Sequence, residues 1–239
     1  MATIGIQRDR PGVVTEPLLA RPWVRNGLLA CGFLASVLYV GTDITGGWLY
    51  PGYSFSSQAI SELGEIDSPA KTFVDLLFPI YQLMVAVFGL GVYHEAAEQN
   101  RPLRITGAAL VLYGAIGVAI SFAGSSFATH QRGTASVLFD ASHTIVSAVF
   151  VAVLLIAIGS GAFAYGRVWR AYSLITLLMV IVFGALTAPF AARLAAGQST
   201  AGIGILERIC VYSSLQWMAA LACVLRYGED AKQAHPESI

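Results

Sequence analysis

Few residues in this 239-residue chain can do chemistry, so their types and spacing can be read one by one. Asp140 and His143 are three positions apart, which on a helix puts a carboxylate and an imidazole one turn apart on one face. Such a pair can bind a metal, or the acid can orient the histidine as a general base. It can equally tie helices together through hydrogen bonds to Glu207 or Arg208, and two ligands do not complete a metal site. His130 is the candidate third ligand and Glu62 the fourth. Glu207 and Arg208 are adjacent, so on a helix their side chains point in different directions. The Arg208 guanidinium fork suits an anionic group such as a lipid phosphate, or else it snorkels to the interface and pairs with Asp140 or Asp43. Ser56, Ser57 and Ser61 lie beside Glu62, but no nucleophile elbow surrounds them, and loop hydrogen bonds account for them more simply. Asp43 reads as a proton- or ion-binding carboxylate raised by desolvation, or as a solvated acid at a helix end.

The elements that position these residues are membrane helices. The chain is 56% hydrophobic and 12% charged, with a mean hydropathy of +0.68, whereas soluble domains carry about a quarter charged residues. Six stretches are long and apolar enough to cross a bilayer: roughly 24–46, 72–93, 103–125, 138–162, 171–192 and 205–226. The expected architecture is therefore an all-α, six-helix membrane domain over 21–227, with an N-terminal arm (1–20) and a polar tail (228–239). Gly107, Gly114, Gly117 and Gly124 mark the third helix as a tightly packed one. Cys31, Cys210 and Cys223 lie inside apolar runs and read as buried thiols. A formal net charge of zero argues against nucleic-acid binding, and no cofactor-binding motif is present.

Lysine and arginine set the orientation. Arg8, Arg10, Arg21, Arg25, Arg101, Arg104, Arg167, Arg170, Arg226 and Lys232 fall on the side of the termini, against Lys71, Arg132, Arg193 and Arg208 on the other. That bias places both termini in the cytoplasm of a cell-membrane protein. Asp43, Asp75, Asp140, His143, Arg193, Glu207 and Arg208 then all fall in the outer leaflet. Ionisable groups at that depth are costly unless paired or hydrated, so their convergence suggests one polar pocket open to the outside. The longest connection, 48–69, lies at the same end; its turns at Pro51-Gly52 and Ser68-Pro69 flank a short amphipathic segment. Ser57 and Ser61 are spaced four apart, as are Gln58 and Glu62, with Ile60 and Leu63 as the apolar side. The segment reads as a lid over the pocket, with Tyr53 at the interface.

At this loop the chain resembles a known family. YPGYSFSSQAISELGEIDSPAK is similar to the signature of the prokaryotic membrane family catalogued as domain of unknown function 998. The matching elements are Tyr53-Ser54, then Ile60-Ser61-Glu62-Leu63-Gly64, then Ser68-Pro69. His143 at the start of the fourth helix and Gly204-Ile205-Leu206-Glu207-Arg208 at the start of the last extend the likeness over most of 25–226. The chain departs from the family between helices three and four, where it reads Ser125-Ser126-Phe127-Ala128-Thr129-His130. The resemblance implies fold and membrane residence, and no activity.

Three functions stay open. The first is an enzyme acting on a lipid or isoprenoid, with Glu62, Asp140, His143 and Glu207 as acid–base or metal-binding groups and Arg208, Asp43, Tyr53, Ser57 and Ser61 holding substrate. The second is a lipid- or small-ligand-binding sensor whose lid responds to its ligand. The third is a small ion-coupled carrier, which the lack of midplane helix breaks disfavours. Apart from the bilayer and such a ligand, the sequence names no partner, and it leaves the oligomeric state open.

Overall fold

A computed structural model describes residues 21–96, 100–122, 137–196 and 198–234. In hydrocarbon every backbone N–H and C=O must be satisfied within the chain, so each apolar run becomes a helix. The helices are α1 (Pro22–Leu49), α2 (Lys71–Glu95), α3 (Arg101–Phe122), α4 (Val137–Gly161), α5 (Arg167–Ala195) and α6 (Ile203–Ala234). All six contain a window long and apolar enough to span a membrane, as the hydropathy pattern requires. The sixth continues to Ala234, well into the segment read as a tail, while the arm 1–20 lies outside the described residues.

The helices close into a ring. Each packs against its sequence neighbours, and α6 returns to pack on α1. The α2–α3 pair is the closest, because glycines let the two backbones touch. A Cβ on Gly107 would meet the Tyr93 backbone, and one on Gly114 would meet the Gln82 carbonyl and the Ala86 amide. Hydrogen bonds across the other seams replace the hydrophobic effect that lipid cannot supply. Thr106 Oγ1 donates to the Ala157 carbonyl at 3.0 Å, Trp217 Nε1 to Ser173 Oγ at 2.9 Å, and Ser36 Oγ to the Leu215 carbonyl at 2.9 Å. Cys223 is exposed, contrary to its reading as a buried thiol, because an apolar run in a membrane protein faces lipid as readily as protein.

Each end of the ring is tied by an arginine. At the end nearer the termini, Arg25 donates to both Glu95 carboxylate oxygens at 2.6 and 2.9 Å and to the Leu225 carbonyl at 3.0 Å. This joins α1, α2 and α6. The opposite end carries the connection 50–70, which forms tight turns and a short 3₁₀ segment, Ile60–Gly64.

Candidate functional site

The site is built where that connection folds over the first turns of α6. The loop docks through its backbone: the Ser56 carbonyl accepts from Gly202 N (3.1 Å) and Gly204 N (3.2 Å), and the Ser57 carbonyl from Thr200 Oγ1 (2.9 Å). Gly204 allows this approach, since the Phe55 and Gln58 carbonyls occupy the space a Cβ would need. Ser57 therefore meets the segment leading into α6 through its backbone carbonyl.

Arg208 is the hub. Its Nε and Nη2 form a fork on Asp43 of α1 at 2.9 and 2.7 Å. Nη1 donates to the carbonyls of Phe55 (2.7 Å), Gln58 (3.2 Å) and Gly204 (3.1 Å), and Nη2 also reaches the Tyr53 hydroxyl at 2.8 Å. Every nitrogen of the guanidinium is thus engaged inside the protein. Asp43, whose side chain is fully buried, also accepts from the Tyr212 hydroxyl at 2.5 Å. The Tyr53 hydroxyl passes the network on, donating to the Ala59 carbonyl at 2.8 Å. Burial pushes the Tyr53 phenol above its ordinary pKa, outweighing the opposing pull of Arg208, so the hydroxyl keeps the proton it donates.

Two glutamates hold successive amides at the start of the 3₁₀ segment, Glu62 from within it and Glu207 from α6. Glu62 Oε1 accepts from the Ala59 amide at 2.8 Å, and the Gln58 side-chain amide lies 3.4 Å from Oε2. Glu207 Oε2 accepts from the Ile60 amide at 2.5 Å. The amphipathic expectation for this segment is therefore corrected: Leu63 is buried, but so is Glu62, at 2% exposure. Glu62 turns inward because the amide it binds lies inside, and a carboxylate receiving a backbone N–H is tolerated there. Glu62→Gln keeps an acceptor but loses the charge, so we expect a loss of about 1 kcal/mol in thermal unfolding. A loss several-fold larger would assign the charge a further role.

Convergence is narrower than the sequence suggested. Asp43, Tyr53, Glu62, Glu207 and Arg208 come together, and Glu207 and Arg208 diverge as adjacency requires. Asp75 does not join them; it is exposed and pairs with Lys71 at 2.7 Å, four residues back on α2. Arg193 is exposed at the end of α5 and stacks over Phe190. His143 is half-buried on α4, which packs between α3 and α5. The side chain of Asp140, and the whole of His130, lie outside the described residues. Among the described residues no group of three His, Cys, Asp or Glu is arranged to hold a metal.

Two members of the site escaped sequence reading. Tyr212 follows Arg208 by four residues and so shares its face of α6, a spacing that could have flagged it. Gln216, one turn further, is a lone amide in the middle of an apolar span. Together with the loop these residues line a shallow groove of about 500 Å³ on the outside of α6. Phe55, Ile205 and Ile209 give it apolar walls; Ser56, Ser213 and Gln216 supply polar atoms; Arg208 and Tyr212 are shared with the clasp.

A family model described as a protein of unknown function (DUF998) matches residues 33–224, most of the chain, including the clasp, the loop and the groove. The chain belongs to the DUF998 family. Comparison of this DUF998 protein with curated proteins and with solved structures returned no match. The clasp of this DUF998 protein thus falls on the string Ile60–Gly64 and the Glu207-Arg208 pair by which the resemblance was drawn.

Proposed function

We propose that this protein binds a membrane lipid in the α6 groove, under a lid held by the Arg208 clasp. The observation that carries this reading is the groove itself, an apolar channel with polar atoms at intervals and the loop as its upper wall. Binding is favoured over acid–base catalysis because two of the candidate acids are occupied. Glu62 and Glu207 each hold a backbone amide of the loop, and the Arg208 donors are taken up within the protein. The lid lies on the outer face of the cell membrane in this proposal, supported by the lysine and arginine bias toward the side of the termini.

Native mass spectrometry of the protein released from vesicles of total membrane lipid tests the reading. Wild type is expected to retain lipid, and Ile209→Trp, which fills the groove, to lose it. Equal retention by both overturns the proposal. Conversion of an added lipid by wild type but not by Glu62→Gln would replace binding with catalysis. For orientation, Ser56→Cys in a cysteine-free background should react with an impermeant maleimide from outside intact cells. Reaction only after permeabilisation reverses the topology.

A further inference from the structure

Building on the reading of the α6 groove as a lipid site, we infer that its occupant is an uncharged lipid with a small hydrogen-bonding head, held at Gln216 near the centre of the membrane. Gln216 is exposed on the outside of the bundle and makes no hydrogen bond among the described residues. It lies near the middle of the span Ile203–Tyr227. At ~1.5 Å per residue this is roughly 20 Å from the lid end of the helix, and the hydrocarbon core is about 30 Å thick. A polar amide facing acyl chains at that depth costs free energy until it is paired. Ser213 does not pair it, since its hydroxyl donates to the Ile209 carbonyl at 2.6 Å. The partner must come from outside the chain, along the groove.

Charge and depth choose the class of that partner. Arg208 is the cationic group in the groove lining, and Asp43 neutralises it while carbonyls and Tyr53 take its remaining donors. The other polar liners, Ser56, Ser213 and Gln216, are uncharged, so nothing rewards an anionic head. A phospholipid is anchored at the interface by its phosphate, and only its tails reach the level of Gln216. A lipid without phosphate can carry a hydroxyl or carbonyl down past Phe55, Ile205 and Ile209, a wall against which a charged head would lose its water uncompensated. The amide offers both a donor and an acceptor, matching either group.

The test uses the full chain in nanodiscs of phosphatidylcholine doped with either dioleoylglycerol or phosphatidylglycerol, with retained lipid counted by native mass spectrometry. Dioleoylglycerol should be retained in preference to phosphatidylglycerol. Gln216→Leu should weaken that retention about fivefold, the weight of one hydrogen bond, while Ile209→Trp abolishes retention of every lipid. Equal retention of phosphatidylglycerol, or wild-type retention by Gln216→Leu, overturns the inference and leaves the groove reading intact. Wild-type retention by Ile209→Trp overturns the groove reading itself. A Gln216-dependent dimer that retains no lipid also overturns the inference, because the amide would then pair two copies of the chain.

Discussion

Arg208→Met is expected to destabilise the protein by about 3–5 kcal/mol, the cost of leaving a buried charge without its partner. Asp43 has no exposed side-chain surface, and the fork from Arg208 together with the Tyr212 hydroxyl provides its hydrogen bonds. Methionine fills much of the same space but donates nothing. The carboxylate must then take up a proton or draw in water, and the carbonyls of Phe55 and Gln58 lose their donor. The loop should loosen along with the bundle. Thermal unfolding in detergent measures the first effect, and hydrogen exchange at 53–62 the second. Adding Asp43→Leu should recover much of the loss, since replacing both members of a buried pair by apolar residues is often neutral. If Arg208→Met alone melts like wild type, the clasp does not hold the fold. If the double variant melts as low as the single one, the buried charge is not the cause.

Gly114→Leu is the second large effect, and it acts through shape alone. The new side chain would enter space filled by the Gln82 carbonyl and the Ala86 amide, which are backbone atoms of α2 and cannot swing away. The two helices have to separate, which opens the closest seam of the ring and weakens packing on both sides of it. Overpacking of this kind costs about 1–3 kcal/mol, and more where backbone must move. Gly27→Leu is the matched control, because a Cβ there meets nothing within 4 Å. Similar melting of the two variants would remove close α2–α3 contact as a determinant of stability.

The fold was legible because lipid imposes it. A chain segment without water must satisfy its own backbone, so six apolar runs become six helices wherever they lie. Glycine spacing pointed to α3 as a close-packed helix for the same kind of reason, since only a missing side chain lets backbones meet. The site was legible only in part. Asp43, Glu207 and Arg208 stood out as polar residues at one depth, with Tyr53 and Glu62 in the loop at the same end, and these five do meet. Asp75 and Arg193 share that depth but point away, because a position along a helix axis does not fix the direction a residue faces across the ring.

What each charged group does there was legible only in part. Arg208 read either as a hand for a lipid phosphate or as the partner of Asp140 or Asp43, and it is a staple from α6 to Asp43 of α1, to two loop carbonyls and to the Tyr53 hydroxyl. Glu62 read as an acid–base or metal-binding group on a short amphipathic segment, and its side chain faces inward to hold an amide. Composition and hydropathy determined that the chain is a six-helix membrane protein with its polarity gathered at one end. Only the tertiary structure decided that the part of this polarity that converges closes the loop, leaving a groove with Gln216, unpaired among the described residues, at its foot. The reason is that solvent selects helices from local sequence, whereas the partner of a buried charge is chosen by ring order and loop path across more than a hundred residues of chain, as Asp43 and Arg208 are.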